Sequence, residues 1–151
     1  MKAVLFFLGM GLMLGCAEEP VASVVTGGEE NALDECTDPP VVDHDEISGS
    51  QPSNADVQIL AYVYADGGCE VDIMTVDLHY RQETATEYNK VTMTRGQEPD
   101  QWRGMIGAES LTSAKIYYYI RAVDKAGQER VEPEDADTNL QKPYFFGVST
   151  R

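Results

Sequence analysis

The sequence predicts an all-β chain, an antiparallel β-sandwich of about seven strands, and three observations carry that expectation. Apolar and polar residues alternate with a period of two in stretches such as Val57–Tyr64 and Lys115–Asp124, the pattern of a strand with one buried and one wet face. Turn residues punctuate those stretches, as in Asp66-Gly67-Gly68, 96–100 and Lys125-Ala126-Gly127-Gln128. No stretch sustains a helical period or alternates strands with long helices, which argues against a parallel α/β fold.

Taken in order, Pro39-Pro40 forces an extended entry and 41–47 reads as the first strand. Residues 49–54 read as a loop. In the second strand Val57, Ile59, Ala61 and Val63 alternate with Gln58, Leu60, Tyr62 and Tyr64. In the third, Met74, Val76, Leu78 and Tyr80 alternate with Thr75, Asp77, His79 and Arg81. A fourth covers 88–94, with Val91 and Met93 inward. A fifth covers Gln101–Ile106, with Trp102 and Ile106 inward. Lys115–Asp124 is the clearest: Ile116, Tyr118, Ile120 and Ala122 point inward, and Tyr117, Tyr119, Arg121 and Val123 point outward. A last strand spans 144–148. Pro133 and the acidic run 132–137 place a loop or bulge before it.

Residues 1–15 have the layout of a secretory signal: Lys2, a charge-free apolar run over 3–14, then the small Gly15. The run is shorter than the roughly 20 residues a membrane span needs. Gly15-Cys16 resembles the lipobox of bacterial lipoproteins. That resemblance implies lipidation (palmitate) of Cys16, a mature N-terminus there and attachment to the cell envelope. Ala17, where many lipoproteins retained at the inner membrane carry aspartate, implies the outer membrane. Residues 16–37 are acidic, contain glycine and lack periodicity, so they read as a flexible tether with a reach of about 25 Å. The β domain then occupies 38–151.

The formal net charge is −15. Such a surface repels nucleic acid, whose binding needs clustered Lys and Arg, so no nucleic-acid partner is expected. With Cys16 acylated, Cys36 and Cys69 remain, an even number in an oxidising compartment, and a disulfide between them is expected. Both belong at one pole of the sandwich. Closing that loop is worth roughly 3–4 kcal/mol in the chain-entropy model. Two cysteines and two distant histidines lack zinc-type spacing, and no metal or other cofactor is expected.

The segment IYYYIRAVDKAG, 116–127, resembles strand F and the following turn of fibronectin type III and related Ig-like domains, with Ala122, Asp124 and Gly127 on the pattern. VDLHYR at 76–81 and QWRGMI at 101–106 are similar to strands C and E of bacterial Ig-like modules. Pro143-Tyr144-Phe145-Phe146 resembles their closing strand. The resemblance implies an Ig-like or fibronectin type III-like β-sandwich.

Catalysis needs a converging nucleophile, base and orienting group. His44 lies in Asp43-His44-Asp45-Glu46 and reads as part of a solvated edge strand, where charge protects a sheet edge. His79 reads as outward-facing beside Asp77 and Arg81, in a cross-strand polar pair. No catalytic or nucleotide-binding motif is present, and the chain is expected not to be an enzyme. Asp66, Glu70, Asp72 and Asp124, with Asp34, Glu35 and Asp38 nearby, are weak candidates for a cation site.

Tyr117, Tyr119 and Arg121, with His79 and Arg81 on the neighbouring strand, form a candidate binding face, since Tyr and Arg are enriched at interfaces. The expected role is therefore structural or recognition. A lipid-anchored module would hold the envelope through its lipid and bind an envelope protein or glycan. The alternative is a calcium-stabilised or small-ligand-binding periplasmic accessory.

Overall fold

The computed structural model describes residues 38–65, 72–134, 136–138 and 142–149. The leader 1–15, the tether 16–37, and Cys16, Cys36 and Cys69 lie outside the described residues. Among those described, ten strands form two sheets packed face to face, with one three-residue 3-10 turn at Ala108–Ser110. The fold is an all-β sandwich.

β1 (Val41–Asp43) pairs antiparallel with β3 (Val57–Tyr64), and β3 with β7 (Gln101–Ile106). β6 (Thr94–Arg95) completes this four-stranded sheet, in the order β1-β3-β7-β6. The second sheet has the order β2-β10-β8-β4-β5. It is built from β2 (Ser50–Pro52), β10 (Tyr144–Ser149), β8 (Lys115–Asp124), β4 (Ile73–Gln82) and β5 (Asn89–Thr92). β9 (Glu129–Glu132) pairs with the C-terminal half of β8.

β3, β7 and β8 have the bounds and the inward residues that their alternation predicts. Along β3 the side chains alternate buried and exposed without a break. Ile59, Val63, Val76, Leu78, Ile106, Ile116, Tyr118, Ile120 and Phe146 fill the space between the sheets. Each fully buried aliphatic side chain contributes about 1.5–3 kcal/mol. At Gly104 on β7 the facing sheet leaves no room for a side chain. A Cβ there would stand 2.9 Å from Leu78 Cδ2.

Four elements differ from the sequence expectation. The first strand does not run over 41–47. After β1 the chain leaves the smaller sheet, turns at Gly49 (φ 77°) and re-enters the larger sheet as β2. There β2 runs parallel to β10, so 49–54 is not wholly a loop. The expected fourth strand also divides. β5 bonds to β4 and β6 to β7, with buried Met93 as the hinge between sheets.

Met74 does not point inward and is 57% exposed, because the pairing of β4 with β8 shifts between Ile73 and Thr75. The extra residue reverses side-chain parity and gives the inward position to Ile73. Finally, 129–132 is a strand. Gly127 (φ 83°) closes a turn that folds β9 back along β8, and the loop begins only at Pro133.

Candidate functional site

The sequence-predicted face exists as a set of neighbours. The register of β4 against β8 places Asp77 opposite Arg121, His79 opposite Tyr119 and Arg81 opposite Tyr117. All five candidates therefore share the outer surface of the larger sheet. They are not equally available.

Tyr119 is only 7% exposed although it points outward. His79 stacks on it at 4.6 Å with ring planes 5° apart, and Tyr88, from the approach to β5, meets it edge-on at 4.9 Å. His79 is thus not in a polar pair beside Asp77 and Arg81. Its Nε2, like the Tyr88 hydroxyl, is buried without a hydrogen-bond partner among the described residues. Burial holds the imidazole below its ordinary range, partly opposed by the Asp77 charge, and pushes the Tyr119 hydroxyl up. Asp77 instead accepts from Lys90 Nζ (3.2 Å) and Thr92 Oγ1 (2.8 Å).

Arg121 makes a two-pronged pair with Glu129, at 2.6 Å from both Nε and Nη2. The pair raises the arginine and lowers the carboxylate. The partner comes from β9, the strand absent from the sequence expectation.

The remaining candidates, Arg81 and Tyr117, border an open groove of about 730 Å3. The Arg81 guanidinium lies 4.8 Å from the centre of the Tyr117 ring and 5.2 Å from that of Tyr88, and donates to the Ala85 carbonyl at 2.8 Å. Phe145, 47% exposed, continues the aromatic surface 6.2 Å from Tyr117. Lys115 Nζ lies 5.6 Å above the Phe145 ring, and Lys142 stands on the rim. Glu46 also lines it, beside the Phe145 backbone. Lys115, Lys142 and Phe145 are groove residues that sequence reasoning missed. The signal was parity: with Phe146 inward, Phe145 must face outward beside Tyr117, its partner in register.

His44 is not on a solvated edge. It joins the two sheets. A carbonyl only accepts, so Nδ1–H donates to Leu60 O at 2.5 Å, across the sandwich from β8. Nε2 then accepts from the Tyr118 hydroxyl at 3.0 Å, and that hydroxyl accepts from the Ile47 N–H at 3.2 Å. Rings of Tyr118 and Tyr144 meet the imidazole edge-on. Burial is the largest influence and lowers the His44 pKa; it pushes Tyr118 up to about 12.

Of the acidic candidates that can be placed, Asp38 is exposed, and Asp72 and Asp124 are engaged within the chain. Asp124 is 3% exposed, and its carboxylate accepts the Gln128 N–H at 2.8 Å, locking the turn into β9. Asp72 pairs with Lys125, which holds its carboxyl below the usual range. Asp34, Glu35, Asp66 and Glu70 lie outside the described residues. Among the described residues no group of three or more His, Cys, Asp or Glu side chains is arranged to hold a metal ion.

No family model matches the chain, and no curated protein matches it. Among solved structures it is similar to a superoxide reductase (neelaredoxin) from Ignicoccus hospitalis. The identity is 10% and the TM-score 0.40, over 82% of this chain and 89% of that one. That protein is by name an enzyme, and the expectation that this chain is not an enzyme is corrected on that finding and withdrawn. A likeness this loose carries no argument for any particular activity here.

Proposed function

We propose that the chain is a lipid-anchored envelope module with an Ig-like sandwich, whose larger sheet recognises an envelope protein or glycan through the groove beside Tyr117 and Phe145. One observation carries the recognition reading: Arg81, Lys115 and Lys142 line one groove with the exposed Phe145 ring and the half-buried Tyr117 ring, in a chain of net charge −15 with 11 basic residues. Charge complementarity of this kind gives partner choice and association rate.

The Ig-like assignment is supported by the strand order β1-β3-β7-β6 against β10-β8-β4-β5. It matches sheets A-B-E-D and G-F-C extended by a C′ strand. The anchor rests on Lys2, the apolar run and Gly15-Cys16, and the outer-membrane address on Ala17. The Cys36–Cys69 disulfide belongs to the same reading, because it requires an oxidising compartment.

Two measurements test it. Mass spectrometry of the native chain should find an acylated Cys16 as the first residue, with Cys36 and Cys69 resistant to thiol labelling. An intact leader would overturn the anchor, and two free thiols would overturn the disulfide. The full chain carrying Cys16→Ser, which removes the lipid's own affinity, should co-sediment with washed envelope fragments of the producing bacterium. Lys142→Glu should reduce that co-sedimentation; if it leaves it unchanged, the groove is not the recognition site.

A further inference from the structure

We propose that the groove takes an oligosaccharide containing uronic acids, with pyranose rings lying on Phe145 and Tyr117 and carboxylates meeting Arg81, Lys115 and Lys142. This rests on the recognition reading above and names its ligand class. The faces of aromatic rings carry the negative part of a quadrupole and attract the polarised C–H bonds of a sugar face. Phe145 is nearly half exposed and tilted 48° to Tyr117, so the two rings form a bent platform. A volume of about 730 Å3 lies within the usual range for small-ligand sites.

The charges sit where carboxylates of ring-stacked sugars would project. Arg81 is held before any ligand arrives, by Tyr117, Tyr88 and the Ala85 carbonyl, so little freedom is lost on binding. Lys115 reaches Glu83 only at 3.8 Å, in an exposed pair of the kind worth little. No carboxylate among the described residues forms an ion pair with Lys142. Against three cations the groove sets, among the described residues that line it, the single carboxylate of Glu46, which accepts from the Phe145 N–H at 3.4 Å.

An acidic peptide would be attracted by the same charges, but an extended peptide gains most of its affinity by adding to a free strand edge. The groove offers little of one. β8 is bonded to β4 on one side and to β9 and β10 on the other, β2 covers β10 over 147–149, and along the short remainder the Glu46 carboxylate already takes the outward Phe145 N–H.

The test is isothermal titration of the detergent-solubilised full chain with trigalacturonate, maltotriose and hexaglutamate. Trigalacturonate should bind, more weakly at high salt, and both Lys142→Glu and Phe145→Leu should weaken it by about tenfold or more, the equivalent of one good contact. Phe145→Leu keeps apolar bulk and removes only the ring, and an unchanged melting temperature confirms that each variant is folded. Maltotriose binding as tightly as trigalacturonate, hexaglutamate binding more tightly, or Phe145→Leu leaving affinity unchanged would each overturn the saccharide assignment. That failure is separable from failure of the recognition reading, which is scored by co-sedimentation with envelope fragments. Trigalacturonate that does not bind, with co-sedimentation still lost in Lys142→Glu, removes the sugar and leaves the groove.

Discussion

On the outer face of the six-stranded sheet the aromatic and charged side chains cover one another: His79 and Tyr88 close over Tyr119, and Glu129 takes Arg121. On the outer face of the four-stranded sheet Leu60, Tyr62, Tyr64 and Met105 stand between 37 and 44% exposed. The difference comes from the neighbours. β8 lies between long strands and strand segments that supply covering side chains on both sides. β3 and β7 are flanked by β1, of three residues, and β6, of two, which are too short to do so. Tyr and Arg are the residue types enriched at interfaces, yet here most of them brace the chain's own sheet. Residue type pointed to this face, and neighbours decided which part of it stays open.

The sharpest way to break this contrast is to truncate one residue on each face. Tyr119→Ala is expected to cost about 3 kcal/mol, the scale of emptying a buried aromatic site. Leu60→Ala on the other face is expected to cost under about 0.5 kcal/mol, as exposed substitutions do. Urea unfolding measures both. Equal midpoints for the two variants would mean that the aromatic layer over β8 braces nothing.

Acid should separate the faces next. The chain's two histidines are His79, inside the covered layer, and His44, at the seam between the sheets. Burial lowers both below the ordinary value of 6.5. A histidine whose folded pKa is depressed contributes stability that is complete above its unfolded pKa. That stability is lost as pH falls through 6.5 toward the folded value, because the unfolded chain then takes up protons first. Stability is therefore expected to fall between pH 7 and pH 5, and His79→Phe, which keeps the stack on Tyr119, should flatten part of that fall. His44→Phe is expected to cost about 1–2 kcal/mol at neutral pH, through the unpaired Tyr118 hydroxyl and Leu60 carbonyl, and to flatten the rest. A pH profile that neither substitution alters would place the acid sensitivity elsewhere.

Much of this was legible in the sequence, and the reason is period. Val57–Tyr64, Gln101–Ile106 and Lys115–Asp124 alternate cleanly, and their bounds and inward faces follow from that alone. What was not legible depends on residues far away in the chain. Nothing near Tyr119 announces that Tyr88 and His79 will cover it, and Met74 reads as inward until a bulge shifts the parity of β4. The divisions at Gly49 and Met93 are choices between sheets, made by pairing rather than by local pattern. His44 looked like a charged edge residue because three of its neighbours are acidic, while its partners Leu60 and Tyr118 are remote. Of the groove, Arg81 and Tyr117 were visible as outward residues; Lys142 needed the fold to bring it alongside.

A smaller effect is expected at Arg121. The pair with Glu129 has ideal geometry, but both side chains are about 40% exposed, at 42 and 38%. Arg121→Gln should cost about 0.5 kcal/mol, and less at high salt, because exposed ion pairs are screened. A cost near that of Tyr119→Ala, insensitive to salt, would show that β9 depends on this pair to stay on the sheet.

The last expectation concerns the open face, where a polar contact resembling a brace should prove inert. The Tyr62 hydroxyl donates to the Glu98 carboxylate at 2.7 Å and accepts from Gln101 Nε2 at 3.3 Å. The carboxylate beside it pushes the hydroxyl pKa up. All three groups face solvent, so water replaces each lost bond as soon as it breaks, and nothing is left unpaired. Tyr62→Phe should leave the urea midpoint where it was. A fall approaching that of Tyr119→Ala would mean that β3 carries a cohesive outer layer of its own. The two faces would then differ in composition but not in how they hold the sheets together.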